Sequence, residues 1–523
     1  MQDRQASRSR TLKDVNVKLP EDFSIHLRDL LERMTPSKKT SYLREVCFSK
    51  FVSTDTQPAD VRRNRAVFKW LCAEQNNAAT NDRLELTPDG FQILPRVLWS
   101  DFVSKCRDVV RTVIGDVPSE DALIGIFSGG ASTSRGRTVS HPANKYLGKA
   151  DVTESAKGLF EDLLKDMPGW LGYRGDAEEL RVVPGNIMFT VPKTTDIDRC
   201  ACKEPDINMF MQKGLGGEIR RGLKRHKIDL NDQSINRDLA RIGSITGDLA
   251  TLDLSSASDS VTTGLVELLL PTVWYSYLSM LRSPYTDVFG ELHRNEMFSS
   301  MGNGFTFELE SLLFYAIART TAYFRGVSGV ISVYGDDIIV PSILAEDLTW
   351  VLGYCGFEVN PSKSYWFGTF RESCGGHYDG GIDITPFYVK KPVTDLVSLI
   401  HLGNSLRKWA GSSGWMDEEV YPLWKTIKEL VPERFWGGRD LASKEALVTS
   451  DLPRKKLLPI TRRVETGTGG YILWLNATMN RMTDGCVETS TRSIDCGRYR
   501  VRPNATPYTS MTTPLFEEEW QSE

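Results

Sequence analysis

"VYGDDIIVP", residues Val333 to Pro341, sets two adjacent aspartates inside one of the most apolar stretches of the chain. "GVISV" runs up to them and "IIV" runs away from them. Two strand-like runs around a Gly-Asp pair predict a tight β-hairpin, with Asp336 and Asp337 at its tip. Two carboxylates about 4 Å apart repel by roughly 4 kcal/mol at an effective dielectric near 20. Burial makes each charge harder to keep. Such a pair implies a compensating cation.

Upstream, "LATLDL" (Leu249 to Leu254) reads as a second strand-like run with Asp253 near its end, followed by "SSASDS" and a helix patterned by Val261, Leu265, Leu268 and Leu269. Ser258 or Asp259 is the expected N-cap of that helix. Between the two strands, "SSMGNG" (Ser299 to Gly304) is a glycine loop opening another helix, with Phe305, Leu309, Leu312, Leu313 and Ala316 as its apolar stripe. Strands and helices mix without a βαβ rhythm, so the fold class is α+β. If the two strands are neighbours, three carboxylates converge. Hard oxygen ligands of that kind suit Mg²⁺ or Mn²⁺.

The chain has 523 residues, 40% hydrophobic and 25% charged, ordinary values for a large multi-lobed globular protein. Its net charge is −4. Against that total, "KGLGGEIRRGLKRHK" (Lys213 to Lys227) sets six cations against Glu218, a local charge of +5. A solvated helix face and a phosphate-binding face both fit; the contrast with the acidic total favours phosphate contact by Arg220, Arg221, Lys224 and Arg225. "IFSGGASTSRGRTVSHPANKYLGKA" (Ile126 to Ala150) reads as a long exposed loop, suited to a polyanion or merely solvated. Nine cysteines without a C-x-x-C fit a reducing compartment. "CAC" at Cys200 and Cys202, and Cys374 with His377, are at most half-sites for a metal. The polar, basic N-terminus does not read as a secretory signal, and no run of 18 apolar residues occurs. The acidic end "FEEEWQSE" reads as frayed.

"YGDD" in a hairpin, "DLSSASDS" upstream and "GNGFTFELESL" between them resemble motifs C, A and B of palm-fold RNA-dependent RNA polymerases. The similarity is greatest to the replicase catalytic subunit of single-stranded RNA bacteriophages, the leviviruses. "VPKTTDIDRCACKEPDINMFMQKG", "IDLNDQSIN", "FRESCGGHY" and "DITPFYVKKPV" also resemble that family. The resemblance spans roughly residues 120 to 410. One departure from the wider polymerase pattern lies in motif B, where Glu310 stands four residues after Thr306 in place of an Asn.

The resemblance implies a right hand: an N-terminal region over residues 1–95 that partly supports fingers and palm, fingers with a basic template and nucleotide channel over 96–242, a palm over 243–395, and a thumb with the C-terminal region over 396–523. It implies template-directed RNA synthesis from nucleoside triphosphates by a two-metal mechanism. Asp253 and Asp336 would ligate two Mg²⁺ ions, with Asp337 close by. Lys193 and Arg199 would grip the triphosphate. Asp259, with Ser300 or Asn303, would meet the ribose; a plain helix N-cap is the alternative for Asp259. Gly302 and Gly304 would allow close backbone approach to template or nucleotide. Lys363 in "NPSKSYW" would protonate pyrophosphate. Implied partners are template RNA and, from the host, elongation factors Tu and Ts and an RNA-binding ribosomal protein, in the cytoplasm of an infected bacterium. A reverse transcriptase is the nearest rival, although it usually carries an aromatic blocker after the motif A aspartate, where "LSSASD" is small and polar. A non-catalytic RNA-binding or repressor protein would explain the basic helix but not three converging carboxylates.

Overall fold

The computed structural model describes residues 18–51, 57–146, 149–167, 169–170, 180–411, 418–438 and 440–449. Residues 450–523, including the acidic end, lie outside the described residues. The chain is α+β, and a small antiparallel sheet at its centre sets the geometry of the rest.

The predicted hairpin forms. Strand Ser332–Tyr334 pairs with Asp337–Pro341, with Tyr334 opposite Asp337. Gly335 takes φ +60° in the two-residue turn, a conformation glycine adopts freely. A Cβ at Gly335 would also press against the Phe307 ring at 2.5 Å, so the turn needs glycine for space as well. Strand Leu249–Leu252 joins the other edge of Asp337–Pro341, antiparallel, with Leu252 opposite Ile338 and Ala250 opposite Val340. All four residues of Leu249–Leu252 are buried. Helix Thr306–Arg325 packs beside the hairpin strand, and helix Ser234–Thr246 lies against the same sheet, where Asn236 accepts from Ser332 Oγ at 2.6 Å. With helices against the sheet, its strands read as near-continuous apolar runs. Helix Thr306–Arg325 ends at Gly326, which takes the left-handed cap at φ +64°.

A second sheet runs in the order Glu291–Arg294, Tyr285–Val288, Gly185–Pro192, Asp198–Lys203. Its last two strands form a long hairpin with Val191 opposite Arg199. The largest core cluster extends from Leu84 to Phe357 and includes most of helix Thr306–Arg325. A separate core joins two distant stretches of the chain: Phe23, Leu27, Leu31 and Leu43 pack with Leu399, Leu406 and Ile427. Helices Ser24–Arg33 and Lys38–Val46 therefore belong with helices Leu396–Gly411 and Tyr421–Leu430.

Two expectations are corrected. The described part of the Ile126–Ala150 segment is not wholly exposed: parts of it are buried, while Ile126 and residues 136–139 stay at the surface. Lys145 is fully buried, its Nζ donating to the carbonyls of Ser128 (2.8 Å) and Gly130 (2.6 Å). Ser132 and Ser134 donate to the buried Asp206, and Thr133 donates to Asp151. Several of the segment's polar side chains find partners inside the fold, so its composition misleads. Nor is Ser258 or Asp259 a helix N-cap. Ser256 turns into the left-handed region at φ +53°, Ala257–Ser260 forms a 3₁₀ turn, and Thr262 caps helix Thr263–Leu269 by accepting from Leu265 N.

Candidate active site

The strand register assembles the carboxylates. Asp253 follows Leu252 and Asp337 precedes Ile338, its partner in the register, so the next position along the ladder brings Asp253 beside the Gly335-Asp336 turn. The strands behind are buried, while Asp336 is open to solvent at the tip and Asp337 is half-buried. The aspartates thus stand at the edge of a buried scaffold. Desolvation by the surrounding protein raises the Asp336 pKa, and Asp253 adds repulsion. Burial, then the charge of Asp336, pushes Asp337 up to about 7, against hydrogen bonds from Cys374 N–H and Ser373. Asp253 is tethered: Asn360 Nδ2 donates to its Oδ2 at 3.1 Å, Asn360 N–H donates to its carbonyl at 2.8 Å, and Lys363 Nζ lies 3.5 Å from its Oδ1.

Cations face these carboxylates. Partial burial, then Arg199, Lys69 and Lys363, pushes Lys193 below the usual lysine range, while Asp253 opposes that shift. Lys193, Arg199, Lys69, Lys363 and Asp253 thus share one electrostatic neighbourhood. Asp259 belongs to it too: burial and then Glu74 push its carboxyl up to about 6, against Lys69, Arg199 and Lys193. Among the described residues no side chain bonds the Asp259 carboxylate; its backbone is held, the carbonyl accepting from Asn77 Nδ2 at 2.7 Å and the N–H donating to the Ser256 carbonyl at 2.9 Å.

The motif B loop is placed beside this cluster, with its side chains differently employed. Ser300 is buried, its hydroxyl accepting from Asn186 Nδ2 at 2.8 Å, and Asn186 also donates to buried Glu204. Asn303 Oδ1 accepts from Phe305 N–H, while its buried Nδ2 has no partner. Gly302 sits at φ +117°, and a Cβ there would meet the Cys202 carbonyl at 2.1 Å. A Cβ at Gly304 would meet the Gln212 side chain at 2.8 Å. The close approach that requires these glycines is therefore to the chain's own strand Asp198–Lys203 and helix Asp206–Arg225.

The basic helix is realised as Asp206–Arg225, but much of its charge is spent internally. Arg220 binds Glu308 at 2.5 Å and the carbonyl of Leu230 at 2.8 Å. Lys224 pairs with Asp229 at 2.7 Å. Arg225 reaches the Val113 carbonyl only at 3.5 Å, and Arg221 is exposed. Arg221 and Arg225 are the members of the set left to meet an outside phosphate.

Three contributors carry no motif that marks them in the sequence. Asn360 acts through an ordinary-looking "NPSK" stretch. Glu310 stands out in sequence only as a departure from motif B; it is buried, accepts from Ser258 Oγ at 2.7 Å, and lies under Gly335. The third is helix Ala59–Glu85, which braces the site through Asn77 and through Glu74, acceptor of the Glu296 and Met297 amides.

The oxygen-only donor set of Asp253, Asp336 and Asp337 fits Mg²⁺ or Mn²⁺. Among the described residues no group of three or more His, Cys, Asp or Glu side chains is gathered closely enough to hold a metal ion, Asp253, Asp336 and Asp337 included. Water and substrate phosphates would complete the octahedron, the usual way Mg²⁺ is held at nucleotide sites. Cys200 and Cys202 are buried thiols, Cys200 being pushed up to about 12 by burial.

A dry palm-like sheet that presents aspartates to a cationic wall is the architecture of a nucleotide-polymerising enzyme. The family model "RNA replicase, beta-chain" matches residues 9–468, and the chain belongs to that family. It is 39% identical over 460 residues to the RNA-directed RNA polymerase beta chain of Escherichia phage MS2, covering 84% of this chain and 83% of that one. It is 42% identical over 416 residues to the beta chain of Enterobacteria phage fr, covering 78% and 75%, and 37% identical over 498 residues to that of Enterobacteria phage GA, covering 92% and 91%. Among solved structures, it is similar to the RNA-dependent RNA polymerase of a human picobirnavirus, with TM-score 0.35 and 14% identity over 46% of this chain and 56% of that one. Among the described residues no helix is long and apolar enough to cross a membrane.

Proposed function

We propose that this chain is an RNA-directed RNA polymerase that copies a viral RNA genome by joining nucleoside triphosphates to an RNA 3′-end. The register that sets Asp253 beside Asp336 and Asp337, opposite Lys193 and Arg199, is the observation that carries this reading. In the reaction the 3′-hydroxyl oxygen forms a bond to the α-phosphorus, the bond from that phosphorus to the bridging oxygen breaks, the hydroxyl loses its proton, and pyrophosphate leaves. Asp253 and Asp336, with Asp337 beside them, would hold divalent cations, which would supply a more acidic 3′-hydroxyl and charge neutralisation for the leaving pyrophosphate. Arg199 and Lys193 orient the triphosphate, Arg as a fork and Lys as a point charge. Lys363, whose Nζ lies 3.5 Å from Asp253 Oδ1, would give a proton to the leaving group. Asn360 fixes Asp253 from behind. Asp259 and Asn303 Nδ2 offer an acceptor and a donor to ribose hydroxyls.

Template RNA and nucleoside triphosphates are the direct partners. Host elongation factors Tu and Ts and an RNA-binding ribosomal protein complete the holoenzyme in the cytoplasm of the infected bacterium; purification from that host with identification of co-eluting proteins tests this. Primer extension with rNTPs or dNTPs, with and without Mg²⁺, tests the activity and separates it from reverse transcription. Asp336→Asn should abolish extension while leaving RNA binding within a few-fold; a variant keeping a tenth of wild-type elongation defeats the assignment.

A further inference from the structure

Helix Ala59–Glu85 carries a cation that no motif assigns. Arg62 Nε binds Asp198 at 3.0 Å, and Arg65 Nη1 reaches the Asp196 carbonyl at 3.3 Å. Both contacts fall on the tip of the hairpin that bears Lys193 and Arg199. Further along the helix, Asn77 holds the carbonyl of Asp259. The helix thus spans from the triphosphate-gripping hairpin to the turn expected at the ribose. At 100° per residue, Lys69 falls about 20° from Arg62 and about 40° from Arg65, on the face turned to that hairpin. It is exposed, and among the described residues it forms no ion pair or hydrogen bond. Its charge reaches both sides of the channel, pushing Lys193 down and opposing the upward shift of Asp259. A helix that spends Arg62 and Arg65 on structural contacts leaves Lys69, on the same face, free of any.

We propose that Lys69 is a further triphosphate-binding residue, closing with Lys193 and Arg199 a three-sided cationic clamp on the phosphates of the incoming nucleotide. This rests on the polymerase reading above. The ligand chemistry is a polyphosphate, so inorganic pyrophosphate serves as a probe independent of base and sugar. Lys69 lies on the surface of a helix fixed elsewhere, so Lys69→Ala should melt like the wild type.

The experiment measures KM for each of the four rNTPs, the inhibition constant of pyrophosphate and the Kd for template RNA in wild type, Lys69→Ala, Lys69→Arg and Asp336→Asn. Lys69→Ala should raise every KM and the pyrophosphate constant together, by about tenfold for one charge-assisted interaction. RNA affinity should stay within twofold, and Lys69→Arg should restore most of the affinity. Unchanged KM and pyrophosphate inhibition in Lys69→Ala, with Asp336→Asn inactive, would overturn the clamp and leave the polymerase reading standing. A loss confined to RNA affinity would overturn it too, making Lys69 a template-binding residue. An active Asp336→Asn would instead defeat the parent reading.

Discussion

The Ser258 hydroxyl donates a 2.7 Å hydrogen bond to Glu310 Oε2, tying the turn after Asp253 to the helix beneath the Gly335-Asp336 hairpin. Glu310 is buried, and burial pushes its carboxyl up to about 8, against the Ser258 bond and with Asp336 adding repulsion. At neutral pH it is largely a neutral acid joining two aspartate-bearing segments.

A pH dependence follows. The folded pKa of Glu310 lies above its ordinary 4.5, so its contribution to stability is complete below about 4.5 and is lost as pH rises through about 8. Asp337, raised to about 7, acts in the same direction. Glu310→Gln stays neutral at every pH. In metal-free buffer its melting temperature should fall less than that of wild type between pH 5 and 9. Parallel curves would mean that Glu310 ionises in the native state as freely as in the unfolded one.

The basic helix offers a test of which of its charges are structural. Charge reversal at Arg221 and Arg225 should flatten the log–log salt dependence of single-stranded RNA binding by about 0.7 for each phosphate that is no longer neutralised. Arg220→Ala should leave that slope unchanged and cost about 1–3 kcal/mol of stability, because buried Glu308 loses its partner. Binding isotherms at several salt concentrations, with melting curves, decide it. A slope that follows Arg220 instead would return the phosphate-binding role to that residue.

Gly302→Ala tests why the motif B loop needs glycine. The new Cβ would stand 2.1 Å from the Cys202 carbonyl, at a φ of +117° that L side chains rarely adopt. Overpacking of this kind costs about 1–3 kcal/mol or more. A lowered melting temperature is expected even without substrate. A variant with wild-type stability and weakened nucleotide affinity would show instead that the glycine serves the ligand.

The parts of the site legible from sequence are those whose signal is local. A Gly-Asp turn between two apolar runs specifies its hairpin within nine residues, and Asp253 shows itself as a charge at the end of a strand-like run. Asn77 and Lys69 carry no such signal. Asn77 meets Asp259 across 182 residues of chain, on a helix whose polar face resembles any solvated one. The Ile126–Ala150 segment misleads for the complementary reason: serines, threonines and a lysine look alike in sequence whether water or Asp206, Asp151 and backbone carbonyls satisfy them. Gly302 is legible as a loop glycine, but the Cys202 carbonyl that demands it lies on a distant strand.

The proposed ribose contact of Asp259 would bear on the choice of sugar. Its carboxylate has no protein partner among the described residues, and Thr262 takes the N-cap role, so the acceptor is free for a ligand. A ribose 2′-hydroxyl would satisfy it; a dNTP would leave it unpaired, at a cost of about 1–3 kcal/mol per group. Together with a second ribose partner such as Asn303 Nδ2, discrimination can reach about 10⁴. Asp259→Ala should therefore lower kcat/KM for GTP more than for dGTP, without removing the Mg²⁺ requirement, because Asp253, Asp336 and Asp337 remain. Burial and Glu74 raise the Asp259 carboxyl to about 6, so the ionised acceptor forms as pH rises through that value. The GTP over dGTP preference of the wild type should climb across pH 5 to 7, and that of Asp259→Ala should stay flat. Equal loss for both sugars, with a flat wild-type profile, would assign Asp259 to the 3′-hydroxyl or to the cations around Lys193 and leave 2′-hydroxyl recognition to Asn303.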